Sequence, residues 1–177
     1  MPLLTFGHGR LNRDDMSRLL FDAGVTRLVD VRRFPGSRAN PDASRKSLDA
    51  LMTGLGGEYV WEERLGGRRK LTASESADSP DTWWRVDAFR AYAAWTRSDD
   101  FADAMSTLVA DTMGLSAVMC AESVWWRCHR RVIADVAVLA HNLPVEHLMH
   151  SGKGHQHRPS DGARLTASGR IVWDRHE

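Results

Sequence analysis

LLTFGHGRLNRDDMSRLLFDAGVTRLVDV, residues 3–31, decides how this chain folds. Leu3-Leu4-Thr5-Phe6 is a short apolar run that stops at Gly7-His8-Gly9. Asn12, a good N-cap residue, then precedes Asp14, Asp15, Met16, Leu19, Leu20 and Phe21, whose apolar members recur at helical spacing. Gly24 closes that helix, because a residue without Cβ readily takes the left-handed conformation that helix ends favour. Val25-Thr26-Arg27-Leu28-Val29-Asp30-Val31 reads as a buried strand. Strand, helix and strand in so short a span imply a parallel pair joined by a crossover.

Outward from there the alternation continues. Residues 32–41 are rich in Pro, Gly, Ser and Asn and read as an irregular loop leaving the strand. Residues 47–55 predict a short helix ended by Gly56-Gly57, and Glu58-Tyr59-Val60-Trp61 a further strand. Residues 64–80 read as a long loop, with a polar part near 70–81 expected to be mobile. Helical spacing returns over 83–96 and 101–113, with Ser98-Asp99-Asp100 as break and cap. Leu115-Ser116-Ala117-Val118-Met119 is a short apolar strand, and residues 132–140 form a helix stopped near Asn142 and Pro144. Val145-Glu146-His147-Leu148-Met149 supplies a last parallel strand, and residues 164–173 a small hairpin around Ser168-Gly169. The expected fold class is α/β: a single domain over 1–177 with a mostly parallel sheet flanked by helices in Rossmann-like layering.

Composition agrees. A length of 177 residues suits one hydrophobic core, and 42% hydrophobic with 27% charged residues is ordinary for a globular protein. No apolar run approaches the ~20 residues that span a bilayer, and the N-terminus lacks the basic start of a signal peptide. A cytoplasmic location with no membrane partner is expected. The formal charge of +1 excludes steering by the field of the whole molecule, while leaving room for a local basic face. Cys120 and Cys128 are too few for a disulfide framework and are not spaced like zinc hooks, so they are expected to be reduced thiols. His155-Gln156-His157 has no acidic or cysteine ligand nearby, so no metal is expected, nor any other cofactor. The sequence sets no oligomeric state.

In parallel sheets, ligands bind beyond the C-terminal ends of the strands, which selects His8, the loop over 30–40, and residues 120–131. Cys120 ends an apolar strand at a turn whose amides can stabilise a thiolate, although a cysteine there also packs well as a small core residue. Glu122 suits a general base and His129 a proton shuttle. Asp30 lies in an apolar strand and needs a buried partner, with Arg32 or Arg33 nearest. Asp30, Cys120, Glu122 and His129 are therefore the expected catalytic set. His8, Arg32, Arg33, Ser37, Arg38, Arg68, Cys128 and Arg130 are the expected substrate-binding set, since arginine forks match phosphate and carboxylate. Trp83, Trp84, Trp125 and Trp126 adjoin basic segments and suit either base stacking or core packing.

Several separated motifs occur in a telling order: Gly7-His8; Val29-Asp30-Val31-Arg32 with Pro35, Ser37-Arg38 and Asn40-Pro41; Leu65-Gly66-Gly67-Arg68; Phe89-Arg90 with Tyr92; Met119-Cys120-Ala121-Glu122; and Cys128-His129-Arg130 with Ile133-Ala134. Together they resemble the family called domain of unknown function 488 over nearly the whole chain. The resemblance implies an α/β cytoplasmic domain with a polar site built from these motifs. Gly9 stands where many relatives have serine, and Asp42-Ala43 replaces a bulky apolar position.

Basic loops beside tryptophans point to an enzyme acting on a nucleic acid or nucleotide, of a base-processing kind such as a DNA-repair or glycosidic-bond hydrolase. Two alternatives stand beside it. One is a rhodanese-like or other cysteine-dependent small-molecule enzyme, and the other a non-catalytic nucleic-acid-binding module.

Overall fold

Every residue of β1 (Leu3–Gly7) and β4 (Ser116–Cys120) is buried, as runs apolar on both faces demand, and the two strands pair in parallel at the middle of the sheet. The computed structural model describes residues 1–36, 38–110 and 114–175. With β2 (Arg27–Asp30), β3 (Glu58–Trp61), β5 (Val145–Leu148) and β6 (Gly154–Gln156) the sheet has the order β3-β2-β4-β1-β5-β6. All neighbours are parallel except β6, which runs antiparallel to β5.

Helices cover both faces. On one, Met16, Leu19 and Leu20 of α1 (Arg13–Asp22) and Leu48, Leu51 and Met52 of α2 (Arg45–Gly54) pack with Leu4, Phe6, Leu28 and Met119. The short helix α3 (Ala73–Ala77) buries nothing. On the other face, α4 (Asp87–Trp95), α5 (Asp99–Ala110) and α6 (Arg130–His141) enclose Leu3, Val29, Val31, Val118 and Val145. A hairpin of β7 (Ala163–Leu165) and β8 (Ile171–Trp173) joins this second cluster through Ala163, Ile171 and Trp173.

Strand register brings distant residues together. Gly7 lies beside Cys120, and Asp30 beside Met119. The pairing runs on past the strands, with His8 N donating to Cys120 O at 3.0 Å, Gly9 N to Ala121 O at 3.0 Å and Val31 N to Met119 O at 2.9 Å. The connection from β1 passes through α1 on one face and that from β4 through α6 on the other, so a crevice opens at their ends.

Some elements differ from the sequence expectation. The polar stretch expected to be mobile contains α3, held by a capping box in which Thr72 and Glu75 bond each other's backbone. With no buried residue it carries no apolar period. β6 was not expected, since its three exposed residues show no alternation. Trp83 and Trp84 precede α4 rather than belong to it: Trp83 N donates to Trp173 O at 2.9 Å, fastening this segment to the hairpin. The last residues of the helix expected over 101–113 lie outside the described residues.

Candidate active site

Asp30 and Arg32 form the first half of the site. Asp30 is fully buried at the end of β2, where a lone carboxylate is not tolerated, and Arg32 answers it with a two-pronged contact: Nε to Oδ1 at 2.9 Å and Nη2 to Oδ2 at 2.6 Å. Tyr59 of β3 donates its hydroxyl to Oδ2 at 2.7 Å. Burial, with the Asp30 charge beside it, pushes the Tyr59 phenol well above its usual range. The remaining Arg32 donors reach the Ala43 carbonyl at 2.7 Å and His8 Nε2 at 3.2 Å. His8 Nε2 therefore accepts, and its Nδ1 donates to Gly9 O at 2.9 Å, which fixes the neutral tautomer. Burial lowers the His8 pKa, and the Arg32 charge lowers it further.

The second half is sulfur chemistry. A 3-10 turn at Trp125–Arg127 folds the chain back after β4 and carries Cys128 against Cys120, with the two sulfurs 2.6 Å apart. Cys120 Sγ also accepts from Glu122 N at 3.3 Å. Cys128 precedes His129, the N-cap of α6, and its Sγ lies 3.5 Å from His129 Nδ1. His129 Nε2 donates to Val31 O at 3.2 Å, so in the neutral ring Nδ1 is the free acceptor aimed at the thiol. Thiol, imidazole and backbone carbonyl thus stand in line. Burial opposes ionisation of Cys128, yet the hydrogen bond from Cys120 and the neighbouring His129 and Arg130 charges outweigh it and hold its pKa well below the usual thiol range. Burial and the shared hydrogen bond push Cys120 the other way, so the pair gives up one proton and keeps the second.

Arg130 completes this half. It is 1% exposed, and among the described residues no carboxylate lies within ion-pairing distance and its Nε has no hydrogen-bond partner. Its Nη2 donates to the Glu122 carbonyl, and its guanidinium interacts with both sulfurs. Gly7 permits this packing, because a Cβ there would overlap the Glu122 carbonyl and crowd Arg130. Gly67 does the same for His129, whose Nδ1 a Cβ would approach to 2.9 Å.

Cys120, Cys128 and His129 form the wall of a pocket of about 270 Å³, with Tyr92, Phe89 and Phe34 as aromatic sides and Arg33, Arg68 and Arg127 among its basic lining. Arg33 Nη1 donates to Arg68 O at 3.2 Å, and both guanidinium groups lie 5.8 Å from the Phe34 ring centre. Arg68 holds a left-handed backbone, φ 58°. Glu122 lies at the pocket edge, exposed, with Oε1 accepting from Val124 N at 3.1 Å. Arg38 is exposed and outside the pocket wall, and Ser37 lies outside the described residues. Asp30, His8 and Arg130 sit behind the wall. The ligand atoms of Cys120, Cys128 and His129 lie within 4.8 Å of one another, which their spacing in sequence did not suggest.

These motifs fall in one family's span. A family model described as domain of unknown function DUF488 matches residues 13–137. The chain belongs to the DUF488 family. Asp30, Arg32, Cys120, Glu122, Cys128, His129 and Arg130 all lie inside that stretch, while His8 precedes it. No curated protein and no solved structure matches the chain.

Sequence reasoning missed Tyr59, whose role depends on the β2–β3 register. It also missed a buried chain next to the site: Thr5 Oγ donates to His147 Nδ1 at 2.6 Å, His147 Nε2 to His157 Nδ1 at 2.9 Å, and His157 Nε2 to Asp135 Oδ1 at 2.8 Å. Trp125 stacks on His147 with centroids 3.9 Å apart. Burial, with His157 and Arg130 adding to it, lowers the His147 pKa to about 2 and keeps it neutral. A histidine and a threonine on adjacent inward-facing strand positions were the available signal.

Proposed function

We propose that this protein is a cysteine-dependent enzyme in which Cys128 attacks an electrophilic centre of a small anionic substrate. The observation that carries this is Arg130, a buried cation with no carboxylate beside it among the described residues, whose natural counter-ion is a thiolate. His129 Nδ1 takes the Cys128 proton and stands ready to return it to the leaving group as the sulfur bond forms. Arg33, Arg68 and Arg127 receive the anionic part of the substrate, and the aromatic walls line its approach to the sulfur. Arg32 is already committed to Asp30 and acts as a positioning residue.

The test is alkylation by iodoacetamide across pH, followed residue by residue in tryptic peptides. Cys128 reacts first and keeps its rate well below the ordinary thiol pKa of ~8.5. A rate that follows an ordinary thiol, or modification of Cys120 first, overturns the assignment.

The nucleic-acid or nucleotide alternative has its own support. A broad open groove of about 1280 Å³ adjoins the pocket through Phe89 and Arg127, and its lining includes Trp83, Trp126, Arg85, Arg131 and Arg175. Aromatic faces between arginines suit stacked bases and phosphates. Binding of a single-stranded oligonucleotide that weakens steeply with salt supports this substrate class, and no binding at low salt removes it.

A further inference from the structure

The thiol pair has a chemistry beyond attack on a substrate. We propose that Cys128 is a site of reversible oxidation by peroxide, with Cys120 as the resolving partner that closes an internal disulfide. The proposal rests on the thiolate assignment and adds a second fate for the same sulfur.

The geometry supplies each requirement. Cys128, itself only 5% exposed, lines a pocket that opens to solvent and is wide enough for a small peroxide. A susceptible cysteine is ionised and reachable, and the Arg130 and His129 charges favour its ionised form. The resolving sulfur is already in place: a disulfide needs about 2.05 Å between sulfurs, and the pair stands at 2.6 Å. Backbone rearrangement is therefore small. Both cysteines are free in the structure.

The steps balance. The Cys128 thiolate attacks one peroxide oxygen, the O–O bond breaks, and the departing hydroxide takes the proton held on His129 to leave as water. Cys128 now carries a sulfenic acid. Cys120 then attacks the Cys128 sulfur, the S–O bond breaks, and the hydroxyl leaves as a second water with the Cys120 proton. Two thiols have lost two electrons to one peroxide.

Oxidation removes the nucleophile and also discharges the sulfur that Arg130 faces. The buried guanidinium is then left with the Glu122 carbonyl as its remaining named acceptor. The reduced form is thereby favoured, and the bond opens readily to a thiol reductant.

The experiment treats the whole protein with hydrogen peroxide and reads intact mass and tryptic peptides without reduction. Arg127 lies between the two cysteines, so trypsin separates residues 98–127 from residues 128–130 unless a disulfide joins them. The expected result is loss of two hydrogens from the intact protein, a joined peptide pair, and full reversal by dithiothreitol. In Cys120→Ser the reaction stops with one oxygen on Cys128, captured by dimedone, and Cys128→Ser loses the peroxide reaction. Wild-type protein that gains oxygens irreversibly, or links through disulfides between chains, overturns the proposal. So does purified protein in which a tightly bound zinc ion holds both thiols. Fast low-pH alkylation of Cys128 without a peroxide-induced bridge sinks the bridge and leaves the thiolate standing; sluggish alkylation sinks the thiolate itself.

Discussion

Arg32, just past the end of β2, and Arg130, at the start of α6, are both buried arginines, 6% and 1% exposed, yet their surroundings are opposite. Arg32 has a carboxylate gripped at two points, a carbonyl and an imidazole, and Tyr59 supports the carboxylate from behind. Among the described residues Arg130 has a carbonyl, an Nε with no partner, and the electrostatic influence of two sulfurs. A cation whose charge is fully answered holds structure. One whose answer must come from an ionisable thiol ties its own cost of burial to that thiol's protonation, which is the basis of the proposed reactivity of the sulfur.

The sharpest way to break this contrast is to remove each partner. Asp30→Ala strands the Arg32 charge in the core and is expected to cost about 3–5 kcal/mol in urea melts. A loss below about 1 kcal/mol means that Ala43, His8 and solvent suffice for Arg32. Arg130→Gln removes a cation that had no carboxylate to strand, so its stability cost is smaller, about 1–3 kcal/mol from the unsatisfied Glu122 carbonyl. Its larger effect is on reactivity. The Cys128 pKa is depressed, so its thiolate is present at high pH and is lost as pH falls through the folded-state value; without Arg130 that fall moves to higher pH. An iodoacetamide profile unmoved by the substitution ends the link between the two groups.

A third arginine calibrates the other two. Arg68 is exposed, with its backbone in the left-handed region at φ 58°. Arg68→Gly relieves that strain while loosening the unfolded chain, and the two nearly cancel, leaving stability within about 0.5 kcal/mol. Affinity for inorganic phosphate, read by calorimetric titration, is expected to fall. Unchanged affinity places the anion elsewhere on the pocket rim.

How legible each half of the site was follows from what carries it. The β1–α1–β2 unit could be read because local chemistry marks its borders: Asn12 caps by accepting from Asp15 N at 2.9 Å, and Gly24 takes φ 71°. That Asp30 is buried against an arginine was readable too, with Arg32 and Arg33 both open as the partner, since a carboxylate in an apolar strand has few other ways to be buried. The meeting of Cys120 with Cys128 was not. It depends on the 3-10 turn at Trp125–Arg127, and that segment looks in sequence like aromatic surface. The pocket's aromatic side escaped for a related reason: Tyr92 reaches it from α4, donating to Leu65 O at 2.6 Å across a gap that no local pattern encodes.

Asp135 has a consequence for where the fold may be divided. Its Oδ1 accepts from His157 and from Ser160 N at 2.9 Å, and its Oδ2 from Trp173 Nε1 at 2.8 Å. All three donors lie beyond residue 137, where the family match stops, in the middle of α6. That border is a boundary of similarity and not of architecture. A protein severed there would lose β5 from beside β1 and strip three donors from a carboxylate sealed in its interior, so the stretch that defines the family is not a detachable module.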